Sequence, residues 1–175
     1  MGRIVSENEL IAGRLDWERN GLRVVFVHGV FDLLHPGHIR LLEQARSLGN
    51  VLVVAVQSDA RNLSESAAAS AGANDRKSES PRIVTPSAER AEIVAALAAV
   101  DFVIEIDAAA IADFAERLRP DVFVKGASPD KSRPVAEEIR TEEIVMRAGG
   151  TVTVIPLEPG YSKNSLMERI RQAGA

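Results

Sequence analysis

All three histidines of the 175-residue chain, His28, His35 and His38, lie in one run, Val24-Val25-Phe26-Val27-His28-Gly29-Val30-Phe31-Asp32-Leu33-Leu34-His35-Pro36-Gly37-His38. The run reads as a buried strand, a glycine turn and the first turn of a helix. Pro36 suits the first helical position, where its missing N–H costs nothing. His35 is then the cap and His38 sits in the first turn, so both imidazoles can point at one anion. A helix N-terminus adds unpaired N–H groups and a partial positive charge, and Gly37 lets an anion approach those amides closely. Imidazole donors there hydrogen-bond phosphate oxygens, and more strongly as negative charge builds on them. The chemistry expected is therefore the binding and activation of a nucleotide phosphate. The plainer alternative is a histidine-capped helix whose second histidine is structural. Two histidines flanking Pro-Gly at a strand end favour the phosphate. Zinc on the pair with Asp32 is a further alternative, although helical zinc pairs are usually four residues apart and no other ligand cluster is visible.

The elements around this run must bring it to one edge of a sheet. Ser6-Glu7-Asn8-Glu9 has the spacing of a capping box. It predicts a helix to about Arg19, with Leu10, Ile11, Leu15 and Trp17 inward and Asn20-Gly21 as its stop. Residues 22–27 form a first strand. The helix from Pro36 carries Ile39, Leu41, Leu42, Ala45 and Leu48 and stops at Gly49-Asn50, and residues 51–56 form a second strand. Strand, helix and strand of this length make a right-handed crossover and a parallel sheet. Thr85-Pro86 opens a helix to about Ala99, with Ile93, Val94 and Leu97 as its core face. Further strands are expected at 101–106, 121–124 and 151–155, and further helices at 108–118, 134–147 and 162–172. Lys125-Gly126 is expected just beyond the fourth strand, and Pro159-Gly160-Tyr161 turns into the last helix. The fold class is α/β, a Rossmann-like doubly wound five-stranded parallel sheet in one domain, 1–175, with ligands at the carboxyl ends of the strands. Residues 62–80 hold hardly any large apolar side chain and read as a mobile surface loop.

Composition narrows the class. The formal charge is −4, which disfavours nucleic acid as a partner. There is no cysteine, hence no disulfide, thiolate metal site or cysteine nucleophile. No apolar run approaches the length of a membrane span, and the start of the chain does not read as a signal peptide. The expectation is a cytoplasmic enzyme or binding protein.

Gly29-Val30-Phe31-Asp32-Leu33-Leu34-His35-Pro36-Gly37-His38 resembles the signature of the cytidylyltransferase-like nucleotidyltransferases, of the HxGH type. These transfer a nucleoside monophosphate from a triphosphate to a phosphate-bearing acceptor and release pyrophosphate. Within them the chain is most similar to the adenylyltransferase domain of the bifunctional heptose-phosphate kinase/adenylyltransferase, which makes ADP-heptose for lipopolysaccharide. The likeness continues through Gln57-Ser58-Asp59, Pro81-Arg82-Ile83, Glu89-Arg90-Ala91-Glu92, Arg119-Pro120-Asp121-Val122, Val124-Lys125-Gly126 and Pro159-Gly160-Tyr161-Ser162.

The resemblance implies roles for these residues. His35, His38 and Lys125 would be catalytic, the histidines by stabilising the α-phosphate. Gly29, Phe31, Gly37, Gly126, Ser162 and Lys163 would hold the nucleotide, and Asp32 and Arg90 would face the substrate. For Lys125 the plain counterpart is a solvated lysine, for Arg90 a surface salt bridge, for Ser162 a simple helix cap. The resemblance also implies Mg²⁺ with the triphosphate, a phosphorylated sugar or alcohol as acceptor, and a possible homodimer. The chain departs from the heptose enzymes in several places. His28 stands for Asn, Val30 for Cys, Ala127-Ser128-Pro129 for Gly-Asp-Tyr and Lys163-Asn164 for a Thr-Thr pair; Lys77-Ser78-Glu79-Ser80 has lost its glycines. A cytidylyltransferase acting on glycerol phosphate, and a non-catalytic nucleotide-binding protein, stay open beside the adenylyltransferase.

Overall fold

The computed structural model describes residues 1–59, 83–127, 136–157, 160–161 and 163–174. The loop expected at 62–80 and the likeness at Pro81-Arg82 lie outside them. Six parallel strands form one sheet: β1 (Arg3–Ile4), β2 (Val24–Gly29), β3 (Val51–Gln57), β4 (Phe102–Ile106), β5 (Val122–Ala127) and β6 (Thr151–Pro156). Their order is β1-β4-β3-β2-β5-β6. The described α-helices are α1 (Glu7–Arg19), α2 (Pro36–Arg46), α3 (Ser87–Ala95), α4 (Ile111–Leu118), α5 (Ala136–Arg147) and α6 (Lys163–Ala173).

β2 and β3 are valine-rich because both of their faces are covered. Alternate side chains enter opposite cores. Val25, Val27, Val54 and Val124 pack under α2 and α3 with Leu41, Leu42, Ala91 and Val94. Val24, Phe26, Val53 and Phe123 pack under α1, α4 and α5 with Leu10, Ile111, Phe114 and Val145. Carboxylates anchor the strand beginnings: Asp121 accepts from the Val24 N–H and Asp101 from the Leu52 N–H, each at 2.7 Å. From β2 the chain moves outward through β3 and β4, then crosses back to β5 and β6. The reversal of direction opens a crevice between the carboxyl ends of β2 and β5, where such folds bind ligands.

The sheet has six strands rather than five. β1 is two residues long and pairs Arg3 with Phe102 and Ile4 with Val103, too short to leave a pattern in sequence. β5 continues through its pairing with β6, Lys125 opposite Val154 and Gly126 opposite Ile155. Lys125 and Gly126 thus belong to the strand. The capping box forms as expected, with Ser6 and Glu9 bonded in both directions. The helix expected at 108–118 begins as a 3-10 turn, Ala108–Ala110, and becomes α4 at Ile111.

Leu10, Leu41, Leu42, Ala45 and Val94 are buried as expected, but one expected core residue in each of three helices is not. Leu15, Ile39 and Ile93 are exposed. In each helix a polar side chain takes an inward position: the half-buried Arg14, paired with Asp121, the half-buried His38, and the buried Arg90. A reading that sorts residues by hydrophobicity cannot place those three. No described helix is long and apolar enough to cross a membrane.

Candidate active site

β2 delivers the chain to the crevice at Gly29, and the next turn is strained. Phe31 and Leu33 have φ of 53° and 47°, a left-handed conformation that non-glycine residues avoid, and Asp32 lies between them. Each such residue costs on the order of 1–3 kcal/mol and persists only where its surroundings enforce it. His35 then caps α2 with extended backbone, φ −138° and ψ 165°, and Pro36 is the first helical residue. The His35 side chain makes no cap hydrogen bond. Its ring instead stacks on that of His38, with centroids 3.9 Å apart and planes 23° from parallel. Phe31 walls the pair, its ring 5.5 Å from His38.

Among the described residues neither His35 Nδ1 nor His38 Nδ1, both buried, has a hydrogen-bond partner. Buried polar atoms are rarely left so, and a catalytic role is one of the reasons. Burial pushes the His38 imidazole down to about 4; the His35 ring beside it acts in the same direction and Asp32 opposes. Burial also lowers His35, followed by the charge of Arg169, while its own backbone opposes. Two neutral rings can stack at this distance, where two imidazolium ions would repel. A neutral imidazole keeps one N–H to donate and one nitrogen to accept.

Gly37 is needed for packing as well as for access. A Cβ there would stand 3.0 Å from His35 Nδ1 and 3.2 Å from Tyr161 Cβ. A Cβ at Gly29 would stand 3.2 Å from the Phe31 ring. Gly126 faces Leu41 and Leu157, which a Cβ would meet at 3.2 and 3.4 Å, so it lets β5 sit close to α2.

Arg90 and Asp32, expected to face the substrate, are engaged with their own chain. Arg90 is 1% exposed. Its Nε donates to the Thr85 carbonyl at 2.8 Å, its Nη1 to the Val30 carbonyl, and its Nη2 to the Asp59 carboxylate. Arg90 thus forms a buried ion pair rather than a surface salt bridge. Asp32, 4% exposed, accepts from the Val84 and Thr85 N–H groups at 2.9 and 3.1 Å. Asp59 also accepts from the Ser87 N–H at 2.7 Å.

On the other face of the sheet Lys125 pairs with Glu142 of α5, both partly buried. His28 stacks on Phe123, with centroids 5.4 Å apart and planes 12° from parallel, and its Nδ1 lies 3.5 Å from Gln57 Nε2. The structure thus brings His35, His38, Phe31 and Gly37 together and sets Lys125 on the β5 side of the same strand ends. Lys163 is the first residue of α6; Ser162 lies outside the described residues. Three further groups adjoin the site. Tyr161 packs on the start of α2, the Arg40 guanidinium lies 5.2 Å from the centre of its ring, and Arg169 acts on His35. Only Tyr161 has a signal in the sequence, as part of the Pro-Gly-Tyr-Ser turn. Among the described residues no group of three or more His, Asp or Glu side chains is placed to hold a metal ion.

Comparison with known proteins agrees with this geometry. Residues 26–76 match the model of the cytidylyltransferase-like family. The chain is 39% identical over 168 residues to the "Bifunctional protein HldE" of Koribacter versatilis (strain Ellin345), covering 95% of this chain and 31% of that protein. It is 39% identical over 171 residues to the protein of the same name from Halorhodospira halophila (strain DSM 244 / SL1), covering 98% and 32%. The chain therefore spans about a third of the length of the curated relatives it matches. Its fold is similar to that of the lipopolysaccharide core biosynthesis protein from Thermoplasma volcanium GSS1. The TM-score is 0.56 at 24% identity, over 79% of this chain and 98% of that one.

Proposed function

We propose that the chain is a nucleotidyltransferase of the cytidylyltransferase-like kind, whose family model matches residues 26–76, and that it transfers AMP from ATP to a sugar phosphate such as heptose 1-phosphate, releasing pyrophosphate. The observation that carries this reading is the stacked His35–His38 pair at the start of α2, with both Nδ1 atoms buried and without a hydrogen-bond partner among the described residues. A phosphate oxygen of the acceptor attacks the α-phosphorus in line. The bond from that phosphorus to the bridging oxygen breaks, and its electron pair leaves with pyrophosphate. No covalent enzyme intermediate is needed. His35 and His38 hold the α-phosphate by N–H donation, which strengthens as charge gathers on its oxygens. A neutral ring keeps one N–H to donate. The stack and the Gly37 contact hold both rings in one geometry, so catalysis is positioning plus charge stabilisation. Lys125, aimed by Glu142 from the β5 side, brings positive charge to the incoming phosphate.

Asp32 and Asp59 are occupied by backbone N–H groups and Arg90, which suits a magnesium ion carried by the triphosphate oxygens rather than caged by the chain. Bound there, it would neutralise charge on the departing pyrophosphate. The resemblance of the sequence to the heptose-phosphate adenylyltransferases supports heptose as the acceptor class. The test is pyrophosphate release from ATP with heptose 1-phosphate, beside CTP with glycerol phosphate. Release with ATP and the heptose is expected. Nucleotide binding without release from either pair would overturn the reading in favour of a non-catalytic binder.

A further inference from the structure

We infer that Arg90 is a positioning residue, whose guanidinium holds the strained turn before His35 in the left-handed state that accompanies the stacked histidine pair. The inference rests on the nucleotidyltransferase reading for its kinetic readout alone. Its geometric basis is the grip on one peptide group. The angle φ of Phe31 sets how the Val30–Phe31 peptide plane is turned about the Phe31 N–Cα bond. Arg90 Nη1 binds the carbonyl of that same plane. Released from it, Phe31 would relax from φ 53° toward the right-handed region that its side chain prefers.

The grip is itself anchored. The other two arms of the guanidinium reach Thr85 and Asp59. The Asp59 carboxylate is fixed in turn by the Ser87 N–H at the start of α3. Asp32, between the two left-handed residues, is tied to the backbone at Val84 and Thr85. Both flanks of residues 60–82 are thus fastened to the turn that leads into His35. A planar guanidinium with donors in a rigid fork can serve three acceptors in fixed directions at once, and a lysine ammonium cannot reproduce that fork. Burial of so large a cation, 1% exposed in a helix whose Ile93 is left outside, accords with a role beyond packing.

The test uses the full chain with ¹³C-labelled histidine. Three histidines give three ring Cε1–H signals, and His28, stacked on Phe123 on the far face of the sheet, is an internal reference. In Arg90→Lys the His35 and His38 signals should move or broaden while His28 stays in place. Turnover measured by pyrophosphate release should fall about 100-fold, the loss typical of a misplacement near 1 Å, and more in kcat than in KM. A folded Arg90→Lys whose His35 and His38 signals match the wild type would overturn the inference. If that variant does not fold, Asp59→Asn frees the same guanidinium from its carboxylate and is read in the same way. The histidine signals need no turnover. A wild-type protein that released no pyrophosphate would therefore sink the proposed reaction, and the spectrum alone would then decide the role of Arg90.

Discussion

Replacing Gly37 with alanine separates the placement of His35 from the stability of the fold. The new Cβ would stand 3.0 Å from His35 Nδ1, 3.1 Å from its Cε1 and 3.2 Å from Tyr161 Cβ. All three contacts are tighter than ordinary packing, and the ring cannot retreat freely because His38 lies 3.9 Å away on a stacked plane. Overpacking of this kind costs about 1–3 kcal/mol. Against it, alanine is a better helix former than glycine by up to about 1 kcal/mol. The net loss of stability should therefore stay below about 3 kcal/mol. The catalytic loss should be larger in proportion. Moving the ring by several tenths of an ångström should lower turnover roughly 10- to 100-fold. Urea unfolding followed by the fluorescence of Trp17, whose ring lies 5.1 Å from that of Phe102, reports the first quantity, and pyrophosphate release the second. A Gly37→Ala protein with wild-type turnover would refute the claim that the position of His35 matters to the chemistry.

Other perturbations have their own signatures. His38→Ala should lower kcat by about 100- to 1000-fold, as loss of one charge-stabilising donor does. In the folded wild type the His38 pKa, about 4, lies below its ordinary value of 6.5, so between those values the unfolded chain binds the extra proton. Its contribution to stability is complete above pH 6.5 and is lost as pH falls toward 4, by at most about 3 kcal/mol. His38→Gln should flatten that slope in urea titrations at pH 5 and 7. Lys125→Met should cost about 1–2 kcal/mol by leaving the partly buried Glu142 unpaired. Adding Glu142→Gln should restore the stability but not the turnover, as a double-mutant cycle would read out. Asp121→Ala removes the acceptor of the Val24 N–H at the far end of the sheet. It should cost about 1–3 kcal/mol in urea unfolding and leave kcat unchanged.

The valine runs of β2 and β3 are legible in sequence because strands covered on both faces carry no polar alternation, and the order of strands and helices then implies a parallel sheet. The His35-Pro36-Gly37-His38 turn is legible because proline and the histidines take positions with separate physical reasons. Several features are not. β1 is too short to carry a period. Phe31 and Leu33 are ordinary residues in type, and the bonds at Val30, Val84 and Thr85 that tie down their turn join segments distant in sequence. Arg90 looks like a surface arginine on a helix, and its burial depends on partners both near and far in sequence, Thr85, Asp59 and Val30. The Lys125–Glu142 pair joins a strand to the following helix across a register that no local pattern specifies. Gly37 reads in sequence as an opening for phosphate; its contact with the His35 ring is a second constraint that only three-dimensional packing reveals.

The most direct test of the central claim is a ³¹P spectrum of the protein with ATP and heptose 1-phosphate. Attack at the α-phosphorus predicts free pyrophosphate and, in equal amount, a new diphosphate linking AMP to the sugar. ADP without pyrophosphate, the product of attack at the γ-phosphorus, or an unchanged spectrum would contradict it.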